Sequence, residues 1–130
     1  MTVPLPPALD DDRNRAILSY LEGLSAHSDV AMPLCAAVRE LDGAETYCPD
    51  TDAYAYVVAY ANGRIFAFAE GMHGLTLRLP PQSRTAAIDA GATISDVADD
   101  WHFFPLFGAK GFEQGICDWI DLAYSHALRG

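Results

Sequence analysis

The sequence predicts an α+β domain: an antiparallel sheet with helices on one face, in the order α-(α)-β-β-β-α-β-β-α. Three observations predict it. Asn62-Gly63 joins two runs rich in Tyr, Val, Ile and Phe, the signature of a two-residue type I′ hairpin. A third run, LTLRL at 75–79, is stopped by Pro80-Pro81, since proline cannot donate to a strand ladder. Apolar residues recur at helical spacing before and after this block. The chain has 130 residues, which suits one domain over 1–130. A chain of this size buries roughly two thirds of its unfolded surface and needs no metal or disulfide staple.

Residues 1–9 hold three prolines and are expected to run extended. Residues 10–27 read as a helix. Asp10, Asp11 and Asp12 stand at its start, where a carboxylate caps free N–H groups and suits the positive dipole end; a metal site is the weaker reading of that run. Ile17, Leu21 and Leu24 form its apolar stripe, widened by Leu18. Residues 32–43 read as a second helix, with Pro33 in the first turn, Leu34, Cys35, Val38 and Leu41 on one face, and Gly43 at the end. Residues 45–52, ETYCPDTD, read as a loop. Cys48, Asp50 and Asp52 could touch a metal there, but the composition is that of an ordinary turn.

The Asn62-Gly63 turn sets a register in which Ala61 faces Arg64, Tyr60 faces Ile65, Ala59 faces Phe66 and Val57 faces Phe68. Alternation places Ala55, Val57, Ala59, Phe66 and Phe68 on one face, and Tyr54, Tyr56, Val58, Tyr60, Ile65, Ala67 and Ala69 on the other. Leu75, Leu77 and Leu79 are expected to join the phenylalanines against the helices. The tyrosines then share a wetter face with Thr76 and Arg78. Residues 82–91 form a short helix ended by Gly91. Residues 92–107 contain one or two short strands, the better one at 101–107. A closing helix over 111–130 is lined by Phe112, Ile116, Trp119, Ile120, Ala123 and Ala127. Glu113 and Asp118 fall early in it, and His126 and Arg129 in its last turn.

The formal net charge is −10, which repels phosphate backbones and makes nucleic-acid binding unlikely by charge. Cys35, Cys48 and Cys117 are odd in number and widely spaced, as expected of reduced thiols in a cytoplasmic protein rather than a secreted disulfide scaffold. No basic region precedes an apolar run at the start, and no apolar run spans a bilayer, so neither a secretory leader nor a membrane segment is expected.

No motif specifies a reaction. His27, His73, His102 and His126 give no HExxH and no i, i+4 pair, and GxSxG, P-loop and GxGxxG patterns are missing. No catalytic residue, metal ligand or cofactor is expected. Cys35 and Cys117 read as core residues, and a Cys/His pair built from Cys48 or Cys117 with His73 or His102 is disfavoured. Glu70, Asp99, Asp100 and His102 read as solvated rather than clustered. Trp101 reads as a packing residue, and His73 as an exposed turn residue. The candidate binding surface is Tyr54, Tyr56, Tyr60, Arg78 and His102.

NGRIFAFAEGMHGLTLRLP resembles the central part of TfoX N-terminal-like domains. GATISDVADDWHFFPL followed by DWIDLAYSHAL resembles that family's later tryptophan segment and closing helix. YjbR-like proteins are similar over the same stretch, 54–128. The resemblance implies a bacterial protein with a secretion-chaperone-like fold: a helix, three strands, a helix, two strands and a helix. It also implies a link to competence regulation or DNA binding, which the acidic charge opposes; it carries over no catalytic residue. The expected function is a non-enzymatic module that binds a protein or peptide through the open sheet face and edges. A homodimer covering the exposed edges is a further expectation. The alternatives are a small-ligand binder or enzyme with a polar cleft around Tyr56, Tyr60, Arg78, His73 or His102, and a DNA-related regulator.

Overall fold

The computed structural model describes residues 2–107 and 115–129. Its elements are α1 (Asp12–Leu21), α2 (Ser28–Val38), β1 (Ala44–Tyr47), β2 (Val57–Ala61), β3 (Arg64–Glu70), β4 (Gly74–Arg78), α3 (Arg84–Ala90), β5 (Thr93–Ile94), β6 (Trp101–Pro105) and α4 (Ile116–Leu128). The six strands form one antiparallel sheet in the order β1-β2-β3-β4-β6-β5. The α+β class is therefore as expected.

Local chemistry explains most boundaries. Asp11 caps α1 by accepting from the Arg13 N–H at 2.8 Å. Asn62 (φ 54°) and Gly63 (φ 72°) make the left-handed pair that a type I′ turn needs. Gly91 (φ 116°) ends α3. Several segments differ from expectation: the first helix stops at Leu21 rather than residue 27, because Gly23 turns the chain at φ 82° and leaves Leu24 exposed; the second stops at Val38 rather than Gly43; and the expected extended start contains a 3-10 turn at Pro7–Leu9. The 45–52 loop begins as a strand, because Ala44–Tyr47 pairs with β2 and adds an edge to the sheet. Helix α2 starts four residues early: the His27 imidazole accepts from the Asp29 N–H at 3.0 Å and supplies the cap, so Pro33 lies inside the helix.

The register holds for Ala61–Arg64 and Tyr60–Ile65 and then shifts. Ala59 pairs with Ala67 and Val58 with Phe68, so Phe66 is the extra residue of a β-bulge. The bulge moves Phe68 to the tyrosine face and places Ala67 and Ala69 with the leucines. One core gathers α2, α4, Val57, Phe66, Leu75 and Leu77. The other gathers Leu9, Ile17 and Leu21 with Tyr56, Val58, Tyr60, Ile65, Phe68 and Trp101. The helices-on-one-face arrangement thus describes α2 and α4, while α1 packs on the opposite face. The tyrosine face is not the wet one: Tyr56 and Tyr60 are each 8% exposed under α1. The physical reason is that α1 has an apolar stripe to bury, and the tyrosine rings are a large apolar bed with polar tips. Trp101 is buried in this layer, 5.3 Å from the Phe68 ring, rather than under the last helix.

The N-terminal segment also belongs to this layer. The Val3 N–H donates to the Pro49 carbonyl, and Leu9, at the end of a 3-10 turn over Pro7–Leu9, is fully buried. Asn14 ties the layer together. It is fully buried, and its amide N–H groups donate to the Gly63 carbonyl (2.8 Å) and the Leu9 carbonyl (3.4 Å). Its carbonyl accepts from the Ile65 N–H at 3.0 Å. The last β3–β4 pair is Ala67–Leu77, so that N–H lies beyond the ladder and needs another acceptor.

Cys117 is exposed on α4 and not part of the core. Phe112 and Glu113 lie outside the described residues.

Two substitutions test this account. Asn14→Leu keeps the volume but strands the Ile65 N–H and the Gly63 carbonyl. It is expected to lower unfolding free energy by about 3 kcal/mol in urea titrations; a change below about 0.5 kcal/mol would contradict the bracing role. At Gly74, an added Cβ would sit 2.0 Å from the Phe104 carbonyl oxygen, on the neighbouring strand. Gly74→Ala must push β4 from β6 and is expected to cost at least about 3 kcal/mol, read as a fall in thermal midpoint.

Candidate functional site

The residues of the expected binding surface do not share a site. The Tyr60 hydroxyl donates to Glu45 at 2.8 Å, and burial followed by that carboxylate raises its pKa to about 12. Tyr56 borders a cavity of about 380 Å³ on the α1 face, beside Leu5, Leu18 and Glu22. Arg78 lies at the end of β4, its Nε donating to Asp100 at 2.9 Å. His102 pairs with Leu77 on the opposite face. Tyr54 stands apart, 66% exposed. His73 is exposed in its turn, as expected. Among the described residues, no hydrogen bond joins any two of Tyr56, Tyr60, Arg78, His73 and His102.

The metal readings of the acidic runs find other roles for the carboxylates. Asp11 caps α1, and Asp50 accepts from the Asp52 and Ala53 N–H groups in a turn. Among the described residues, no three His, Cys, Asp or Glu side chains gather to hold a metal ion. Nor, among the described residues, is any helix long and apolar enough to cross a membrane.

His102 is buried, and among the described residues neither ring nitrogen makes a hydrogen bond of good geometry, although the Asp100 backbone lies close enough to act on the ring. Burial holds its pKa below the ordinary value, with Arg84 acting in the same direction and Asp100 opposing. His126 is lowered too, by burial and then by Arg78 and Arg64. Both rings therefore bind a proton less readily in the fold than in the unfolded chain.

The concave surface with the most exposed apolar side chains forms where the chain crosses from one face of the sheet to the other. After α1, residues 24–27 thread between the start of β2 and the end of β3. The Ala26 N–H donates to the Tyr54 carbonyl (2.7 Å), the His27 N–H to the Gly71 carbonyl (2.8 Å) and the Gly71 N–H to the Ser25 carbonyl (2.7 Å). The Tyr56 N–H donates to the Leu24 carbonyl at 3.2 Å. Tyr54 is left-handed at φ 51°, a costly conformation for a residue with a bulky side chain. That backbone directs its carbonyl to Ala26 while the ring remains outside.

Two adjoining cavities flank the crossing. The larger, about 470 Å³, lies between His27, Tyr54, Gly71 and Met72. The smaller, about 280 Å³, lies between α2 and the sheet, lined by Met32, Cys35, Cys48, Tyr54 and Val57. Both include Ala26, Ser28 and Tyr54, so they form one groove. Met32 (68%), Tyr54 and Met72 (58%) are the three most exposed large apolar side chains of the described residues. Among the described residues, no Lys or Arg lines either cavity. Asp29, Asp50 and Asp52 stand in the adjoining segments, and the Asp29 side chain is 71% exposed. Of this groove, sequence reasoning found only Tyr54. Met72 sits beside His73 in a turn, and Met32 reads as an ordinary helical residue.

No protein family, curated protein or solved structure matches this chain.

The titration of His102 has a direct consequence. The unfolded chain binds a proton near pH 6.5 and the folded chain only at lower pH, so stability is expected to fall as pH drops through about 6.5. His102→Leu removes two buried ring nitrogens. It is expected to unfold at a higher temperature than the parent at about pH 5.5 and to shrink, with His126 still present, the parent's loss between about pH 7.5 and 5.5. A lower midpoint at both pH values would show that the imidazole is held by bonds of its own.

Proposed function

We propose that this chain is a non-enzymatic binding module whose groove holds a basic segment of another protein, anchored by one large apolar side chain. A single observation carries the reading: Met32, Tyr54 and Met72, the most exposed large apolar groups, border one continuous groove. Apolar side chains gathered around a concavity favour association, and unbranched methionines repack around differing partners. The left-handed Tyr54 supports the same reading, because strain held in place by surrounding bonds accumulates at functional sites. Charge selects the partner. The chain carries −10 overall, and Asp29, in the first turn of α2 beside the groove, is exposed. A basic segment is attracted and an acidic one repelled.

The reading differs from the original expectation in its location. An open tyrosine face is not on offer, because α1 covers it. A DNA-related role has less support still. Arg13, Arg64 and Arg78 act on one another at the Asn62-Gly63 end, but Asp11 and Asp100 lie among them.

Selection from a random peptide display library tests the proposal. The enriched peptides are expected to carry several Lys or Arg around one Leu, Phe, Met or Trp. Tyr54→Ser and Met72→Ser are each expected to weaken a selected peptide about tenfold or more, as truncation at an interface centre does. Raising the salt should weaken it further. Enriched peptides that are acidic, or that bind both variants as tightly as the parent, would overturn the reading. Light scattering tests the competing occupant, a second copy of the chain. A dimer that Tyr54→Ser and Met72→Ser both dissociate would assign the groove to self-association instead.

A further inference from the structure

The chain has three cysteines and three methionines, and four of these six sulfur residues border the groove. Three of them line the smaller cavity. Met32 and Cys35 are three residues apart on α2, so their side chains are neighbours on one face of the helix. Cys48 enters from the sheet side, just after β1, with its thiol donating to the Ala55 carbonyl at 3.5 Å. The remaining lining is Ala, Val and hydroxyl side chains; no carboxylate, imidazole or ammonium group is among it. The Cys35 thiol is held up mainly by burial, with Arg39 and a hydrogen bond with Thr46 opposing, and Cys48 is near enough to add to the rise. Both cysteines are free thiols and both are partly buried.

This donor set discriminates by softness. Hard cations seek carboxylate and carbonyl oxygens, and structural zinc needs four N, S or O ligands. Two thiols and a thioether in an apolar cavity match soft, monovalent, low-coordinate ions. We propose that the cavity between α2 and β1 binds a soft thiophilic cation of the copper(I) or silver(I) class, through Cys35 and Cys48 with Met32 as third donor. The step involves no electron transfer. Each thiol loses its proton to solvent, two metal–thiolate bonds and one metal–thioether bond form in place of the ion's solvent or chelator ligands, and the complex carries one net negative charge. Release of two protons makes apparent affinity rise by up to roughly a hundredfold per pH unit below the thiol pKa range. The inference does not rest on the peptide reading, and its test contains no peptide.

The test uses the reduced full chain under anaerobic conditions. Copper(I) is titrated against a chromogenic copper(I) chelator, and silver(I) is followed by calorimetry. The parent and Cys117→Ser are expected to bind one equivalent with equal affinity. Cys35→Ser and Cys48→Ser are each expected to lose at least a hundredfold, and Met32→Leu about tenfold. Parent binding should strengthen with pH as two released protons require. A labelling experiment needs no variant and so stands even if a serine variant fails to fold. One equivalent of silver(I) should protect Cys35 and Cys48 from maleimide while Cys117 still reacts, as read by peptide mass. Less than one equivalent bound, equal binding in Cys35→Ser or Cys48→Ser, or protection of Cys117 in place of the pair would overturn the proposal.

Discussion

One buried amide holds the two halves of this molecule in register. Asn14 lies on α1 in an apolar layer, yet each of its polar atoms has a backbone partner, on the 3-10 turn at Leu9, the hairpin turn at Gly63 and the strand at Ile65. A buried polar group with all its bonds made adds little net stability. Its larger effect is on alternatives: if α1 slid by one residue, the amide and the Ile65 N–H would both be orphaned in a low-dielectric interior. The rest of the α1 face depends on that registration, because Ile17, Leu21 and the tyrosine bed are smooth apolar surfaces that could otherwise slip.

The β-bulge at Phe66 is what makes two cores from one sheet. Strict alternation would have put both phenylalanines beneath α2 and α4 and left Trp101 on the tyrosine face without its phenylalanine partner. With one extra residue, Phe68 turns over to meet Trp101 and Tyr20, while Phe66 stays to meet Tyr124. The small Ala67 and Ala69 then lie with the leucines, on the face that carries α2 and α4. Each face of β3 thus receives one aromatic ring and leaves space for its own helices.

Much of the fold was legible in the sequence because its signals are local. The Asn62-Gly63 turn, the Pro80-Pro81 stop, the aspartate cap and the apolar spacing of α4 need only their neighbours to act. What was not legible depends on distant groups. Nothing near Phe66 announces a bulge, since its chemistry is that of an ordinary strand residue. The start of α2 was hidden because its cap is a histidine, a side chain that competes for that role only once the chain has turned. The edge strand β1 was hidden by its polar residues, which are common on exposed edges. The groove was the least legible feature, since Met32, Tyr54 and Met72 come from three unconnected segments that meet only through the backbone crossing at 24–27.

That crossing also orders events in time. Residues 24–27 have no seat until the backbones of Tyr54 and Gly71 are placed, and Gly71 follows directly after β3. During synthesis the first two helices therefore leave the ribosome well before the strands that will separate them exist. They must wait as unanchored amphipathic segments until about half the chain has been made. The groove beside the crossing cannot, on this timetable, take shape before Gly71 has been made.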